Sequence, residues 1–287
     1  MKQKTCLITG ANSGIGKAAA HQLVQQGHHT ILACRNEEKG QAALKEIRDA
    51  TGKKHVELMI VDMSLQSSIQ DLARNYLGKY EHLDVLIHNA ATFDITQKEA
   101  TLTDEGIERI WATNHVGPVL LSKLLGKPLK KSQQGRIITI TSKGLMAKPF
   151  LKVDLLDPEF KNRPFSVEKA YYQSKLAQIM FTYWLADRYQ AQDITANSIY
   201  VTAVQIDVDK YPDLSEFLKK AYALKSKLSI SPQEMAKVYT YLATAPEFEK
   251  VSGKIYDEKI KTVRTSKYSK DSFNIEEVMN MTMSYLT

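Results

Sequence analysis

The stretch Thr9-Gly10-Ala11-Asn12-Ser13-Gly14-Ile15-Gly16 constrains this chain most, because it lies between an apolar run, Cys6-Leu7-Ile8, and a helical pattern, Lys17 to Gln26. A strand, a glycine-rich turn and a helix together suit a dinucleotide pyrophosphate. Small residues let the backbone approach the phosphates, and the free N–H groups and positive dipole end of the helix then face the anion. Gly10 can turn with φ > 0, and Gly14 and Gly16 leave room where a Cβ would crowd ligand or strand. Asn12, Ser13 and Ile15 complete the loop. A tight strand-to-helix turn can also need glycine for packing alone, so the remaining residues have to decide.

They alternate in a consistent way. Candidate strands are Thr5–Thr9, Thr30–Cys34, Val56–Val61, Asp84–His88, Arg136–Thr141, Thr195–Tyr200 and Lys254–Tyr256, with helical patterns between them. Several are continuous apolar runs, as in strands buried on both faces. The expected fold class is therefore α/β: one Rossmann-type domain over residues 1–287, a doubly wound seven-stranded parallel sheet with helices on both faces. At 287 residues, 43% hydrophobic, the chain can fill such a core. The net charge of +7 is dispersed rather than clustered, which argues against a nucleic-acid partner. Cys6 and Cys34 have no paired spacing, which argues against a disulfide framework and against a metal site. The first strand starts near Met1, and no run approaches about 20 apolar residues. A cytoplasmic protein with no membrane anchor is the expectation.

The second strand ends at Cys34-Arg35-Asn36, where an acid would bond a ribose 2′-hydroxyl and an arginine would accept a 2′-phosphate. Arg35 and the absence of an acid favour NADP(H). At the third strand's end, Asp62 can accept from an adenine amino group, with the Met63 backbone beside it, or can instead N-cap the helix near Leu65. Asn89-Ala90 follows the fourth strand, and Asn89 is positioned to tie neighbouring strands together. His88 is lone, which favours a packing role. Asn114 shares a stripe with Ile107, Ile110 and Trp111, so it points inward, and Pro118 should kink the helix there. The fifth strand ends at Ser142. Tyr171 and Lys175, at i and i+4, share one face of a helix beginning near Ser166. A lysine charge beside the phenol favours phenolate.

The order of Thr9–Gly16, Asn89-Ala90, Asn114, Ser142, Tyr171 and Lys175 resembles that of the short-chain dehydrogenase/reductase family. Ala33-Cys34-Arg35-Asn36, Thr113-Asn114-His115-Val116-Gly117, Ser174-Lys175-Leu176-Ala177 and Ser252-Gly253-Lys254 look closer to its retinol dehydrogenase-like branch. The resemblance implies an NADP(H)-dependent oxidoreductase acting on apolar aldehydes, ketones or alcohols. It implies Tyr171 as general acid/base, Lys175 lowering its pKa and gripping the nicotinamide ribose, Ser142 orienting the carbonyl and Asn114 holding a water relay. It also implies a backbone contact to the nicotinamide near Val204, and a possible homodimer. The family usually has Pro-Gly where this chain has Val201-Thr202, and Thr where it has Ile206. That departure keeps a second reading open, a dinucleotide-binding regulator with weak or no turnover. Residues 144–165 and 207–228 are expected to wall the substrate pocket. The tail, 258–287, carries an apolar stripe at Ile275, Val278, Met279 and Leu286 that should dock on the chain itself or on a dimer mate.

Overall fold

The computed structural model describes residues 2–204 and 229–286. Seven parallel strands form one sheet in the order β3-β2-β1-β4-β5-β6-β7. They are β1 (Thr5–Thr9), β2 (His29–Cys34), β3 (Val56–Ile60), β4 (Val85–His88), β5 (Gly135–Ser142), β6 (Ile194–Val201) and β7 (Lys254–Tyr256). Each expected strand is present, with ends moved by one residue at most. The helices are α1 (Gly14–Gln25), α2 (Glu37–Thr51), α3 (Gln66–Lys79), α4 (Arg109–Trp111), α5 (Gly117–Leu124), α6 (Gly126–Lys131), α7 (Val167–Arg188), α8 (Pro232–Thr244), α9 (Lys267–Lys270) and α10 (Ser272–Met283).

Successive strand residues feed opposite faces. Cys6 and Ile8 pack with α1, α2 and α8, through Ala19, Leu23, Leu44, Met235 and Tyr239. Leu7 between them packs with α3, α5, α7 and α10, through Leu72, Leu120, Met180 and Val278. The tail stripe is settled by the second cluster: Ile275, Val278 and Met279 are buried on the chain's own core. Leu176, Ile179 and Met180 of α7 are core as well. Ser166 caps α7 by accepting the Lys169 N–H at 3.3 Å, and Ser231 caps α8 by accepting from Glu234 at 3.1 Å, with Pro232 in the first turn.

Two local details follow from the helix boundaries. Pro118 lies in a helical backbone that continues across Ala112–Val116 into α5. The irregularity comes just before it, as a wider π-type turn over Ala112–Val116, in which the Gly117 N–H reaches the Ala112 carbonyl. Asp62 does not take the alternative role of capping α3, whose N-cap residue is Leu65. The first N–H groups of α3, from Gln66 and Ser67, donate to the Glu105 carboxylate at 2.6 and 2.9 Å.

Strand order reverses between β1 and β4. In such sheets the crevice outside the carboxyl ends of the strands, at that reversal, is where a ligand fits.

Candidate active site

At the reversal lies a cleft of about 350 Å³, lined by Gly10, Asn12, Ser13, Ile15 and Gly16 after β1, Arg35 after β2, Asp62 and Met63 after β3, and Asn89 and Ala90 after β4. Ten residues chosen from the sequence for cofactor contact thus meet on one surface, although they come from four separate loops. Asn89 fixes the glycine turn. Its Nδ2 donates to the Thr9 carbonyl at 2.9 Å and the Gly10 carbonyl at 3.2 Å, and the Ala90 N–H donates to Thr9 Oγ1 at 3.0 Å.

The glycines serve different needs. Gly10 and Gly14 have φ of +67° and +55°. A side chain at Gly14 would meet no protein atom, so within the protein that glycine answers to backbone conformation. At Gly16 the limit is space: a Cβ would press on the Asn89 amide nitrogen and sit 2.6 Å from the Gly10 carbonyl oxygen. Gly16→Ala should therefore displace the Asn89 clamp and cost about 1–3 kcal/mol. Thermal denaturation of the variant checks this, and an unchanged Tm would contradict it.

The cleft suits a dinucleotide. The Ser13 side chain makes no capping bond at the start of α1, and the first turn holds no acid, so its N–H groups face the cleft. Arg35 is 65% exposed, with Nη1 3.7 Å from Asp62 Oδ2. The other Asp62 oxygen accepts from the Ser64 N–H at 2.8 Å and the Ser64 hydroxyl at 2.7 Å. Asn36 and Val204, also expected at the cofactor, are not among the lining residues. Asn36 turns away to cap α2, accepting the Lys39 N–H at 2.8 Å. Val204 pairs in a short parallel bridge with Ile230 and is not part of the cleft lining. Val201 remains paired with Ser142, so β6 runs straight through the first position where Pro-Gly was missing. Ile206 and the expected pocket wall 207–228 lie outside the described residues.

Sequence reasoning missed six lining residues: Ala33, Val61, Ala91, Thr92, Arg109 and Thr113. Arg109 and Thr113 are spaced i, i+4, a regular helical spacing that could have placed them on one face. Arg109 Nε is buried and unpartnered among the described residues.

The other four residues gather at the end of β5. The Ser142 hydroxyl, which accepts the Gly144 N–H at 3.3 Å, lies near enough to the Tyr171 phenol to act on its pKa. The Tyr171 ring packs against Phe93, with centroids 4.5 Å apart. Burial pushes the phenol up to about 12, against a downward pull from Ser142. The expected effect of Lys175 is therefore not seen. Its Nζ lies 5.8 Å from the Tyr171 ring centroid and donates to the Ile140 carbonyl at 2.8 Å instead. Burial brings Lys175 down to about 7, which further weakens its pull on the phenol. Asn114 is fully buried. Its Oδ1 accepts the Thr92 N–H at 2.8 Å, and its Nδ2 donates to the Thr92 carbonyl and to Ser174 Oγ, both at 3.1 Å. It thereby ties the cleft's rim at Thr92 to the helix that carries Tyr171 and Lys175. His88 is buried against Ser122 Oγ at 2.7 Å and held down to about 3 by burial, so it is a neutral packing residue.

Among the described residues, no helix is long and apolar enough to cross a membrane, and no group of His, Cys, Asp and Glu could hold a metal ion.

The sequence profile of the short chain dehydrogenase family matches residues 4–152. Retinol dehydrogenase 13 of Mus musculus is 34% identical over 257 residues, which is 88% of this chain and 75% of that protein. Retinol dehydrogenase 14 of Homo sapiens is 32% identical over 298 residues, covering 97% and 87%. Among solved structures, an uncharacterised protein from Mycobacterium paratuberculosis superposes with a TM-score of 0.73 at 25% identity, covering 99% of this chain and 93% of that one. A short-chain dehydrogenase from Shigella flexneri, solved with NADP, gives 0.68 at 22% identity, covering 90% and 98%. The chain belongs to the short-chain dehydrogenases, in their retinol dehydrogenase-like branch, and is an oxidoreductase acting on CH–OH or C=O groups with a nicotinamide dinucleotide.

Proposed function

We propose that the protein exchanges a hydride between NADP(H) and an apolar aldehyde, ketone or alcohol, with Tyr171 as the proton donor in reduction and acceptor in oxidation. The observation that carries this reading is the Ser142–Tyr171 hydroxyl contact at the edge of β5, with Lys175 behind it and the glycine-lined cleft alongside. When bound, the nicotinamide supplies or accepts the hydride. Ser142 holds the substrate oxygen within reach of the phenol. Asn114 keeps Thr92 and α7 in register, and with them the cleft and the proton donor. Arg35 receives the 2′-phosphate, and the α1 N-terminus receives the pyrophosphate. The Shigella flexneri structure holds NADP in the same fold, which supports this cofactor choice. The relatives' names, retinol dehydrogenases, support an apolar substrate. The two cysteines are buried and unpaired, in keeping with a reducing compartment such as the cytoplasm.

A screen of apolar aldehydes and ketones with NADPH, followed at the reduced nicotinamide absorbance, tests the reading. Consumption of NADPH with several of them is expected. A protein that binds NADPH yet reduces nothing across the screen would return the question to the regulator reading.

Two results follow from the charges. Lys175 is held down to about 7, so its ammonium is present below that pH and lost as pH rises through it. The value of kcat/KM for NADPH should therefore fall above about pH 7; a flat profile to pH 9 would contradict a role for the ammonium. Arg109 brings a second guanidinium to the cleft, its Nε without a hydrogen-bond partner among the described residues. Arg109→Met should weaken NADH and NADPH together, by about tenfold each. Binding followed by fluorescence checks it, and unchanged affinities would remove Arg109 from the cofactor site.

A further inference from the structure

Lys175 is almost completely buried on the inner face of α7, and its Nζ has a second partner besides Ile140: Gln178 Oε1, at 3.1 Å. Gln178 is itself fully buried, and its Nε2 has no hydrogen-bond partner among the described residues. A buried amide donor left unbonded is unfavourable, so its presence calls for an explanation. Turning the amide over gives no relief. Nε2 would then point at the ammonium, donor against donor, and Lys175 would lose an acceptor. The orientation of Gln178 is thus dictated by Lys175, and the fold tolerates one unsatisfied N–H there. A leucine of similar volume would remove the orphan donor and fit the apolar surroundings. A purely structural position would favour the leucine.

We propose that Gln178 is a positioning residue that keeps the Lys175 ammonium charged and fixed behind Tyr171, and so sets the pH range over which the site works. The proposal rests on the reading of Lys175 as part of the catalytic group. The groups around the ammonium leave Gln178 little competition. From α7 itself come Tyr171, with its ring centroid 5.8 Å away, and Ser174, whose hydroxyl is engaged by the Tyr171 carbonyl. From β5 come the Ile140 carbonyl and Thr141, which donates to the Lys175 carbonyl at 3.1 Å; Thr139 is taken up by Thr182 at 2.6 Å. The π-type turn contributes Asn114, which bonds Ser174 and not Lys175. From α8 comes Tyr239, a neutral phenol held well above its ordinary range by burial, with its hydroxyl on Asn89 at 3.4 Å. Among the described residues, no carboxylate pairs with Lys175. Burial lowers its pKa to about 7, with no nearby negative charge to resist it. The acceptors Ile140 O and Gln178 Oε1 are what hold the charge in place, and only the second can be changed by a side-chain substitution.

The test follows the lysine directly, without substrate. Protein labelled with [ε-13C]lysine is titrated by NMR, and the Lys175 signal is the one missing from Lys175→Met. Gln178→Leu should lower the Lys175 midpoint by about one pH unit, because a hydrogen bond to the charged form is lost. At neutral pH that would cut the charged fraction about fivefold. Gln178→Glu should raise the midpoint by about one unit or more, because a negative charge faces the ammonium. The leucine variant should melt no lower than the parent, since it removes an orphan donor. Midpoints within about 0.3 unit across the three proteins, or shifts of the same sign in both variants, would overturn the proposal. So would a lower Tm for Gln178→Leu with an unmoved midpoint. If the leucine variant does not fold, the glutamate variant decides alone: an upward shift supports the proposal and an unmoved midpoint overturns it. NADPH binding, read by nicotinamide fluorescence, is the separate arm. Shifted midpoints in a protein that binds no NADPH would sink the cofactor reading and leave the Gln178 role standing. Intact NADPH binding with coincident midpoints would do the reverse.

Discussion

Tyr171→Phe should lower kcat by about a thousandfold or more, while NADPH affinity stays within about tenfold, roughly 1.4 kcal/mol. The phenylalanine ring keeps the packing against Phe93 and against Tyr172, whose centroids lie 4.5 and 5.3 Å from that of Tyr171. Only the hydroxyl and its contact with Ser142 are lost. The variant should therefore fold with nearly the parent Tm, which separates a chemical defect from a structural one. The state of the phenol also fixes the direction of the effect. With its pKa pushed up to about 12, Tyr171 is protonated throughout the neutral range. It is ready to donate to a developing alkoxide in reduction, and poor as a base until a positive charge is brought near it. Reduction should accordingly be the easier direction to detect at pH 6–7, and oxidation should gain as pH rises. Stopped-flow or steady-state absorbance at the reduced nicotinamide band measures both. A Phe variant with full activity would remove Tyr171 from the mechanism.

The sequence was most legible where backbone rules act locally. The apolar runs that became β1, β4 and β5 are buried on both faces, so no alternation was needed to find them. Spacing also carried the site. Glycines at 10, 14 and 16, Arg35 at a strand end, and Tyr171 and Lys175 one turn apart were all readable. What escaped were consequences of tertiary contact. Glu105, distant in sequence, caps α3, so the choice between cap and cleft that the sequence left open for Asp62 falls to the cleft. Asn36 lies beside Arg35 in sequence, but its side chain caps α2. The pKa of Tyr171 could not be read from an i, i+4 pair, because Lys175 extends toward Ile140 and Gln178 and burial governs both groups.

Arg35→Asp should reverse the cofactor preference, weakening NADPH by about a hundredfold, near 2.7 kcal/mol, and strengthening NADH. No acid stands at the end of β2, and Asn36 is committed to its helix, so Arg35 is the side chain left there to meet the ribose. Its guanidinium is 65% exposed and only loosely engaged with Asp62 at 3.7 Å, so little has to be broken for it to turn toward a phosphate. An aspartate at the same place would repel the 2′-phosphate and could accept from a 2′-hydroxyl. It would also face Asp62, and that like-charge contact limits the gain for NADH to less than the loss for NADPH. Arg35→Ala separates the two contributions: it should lose most of the NADPH preference without gaining affinity for NADH. Because the contact is exposed, NADPH binding to the parent should weaken with added salt more than NADH binding does. Fluorescence titrations of both nucleotides at two salt concentrations measure all of this. A parent that binds the two nucleotides equally would contradict the role given to Arg35. A preference that survives Arg35→Asp but disappears in Arg109→Met would place the 2′-phosphate at the other guanidinium of the cleft.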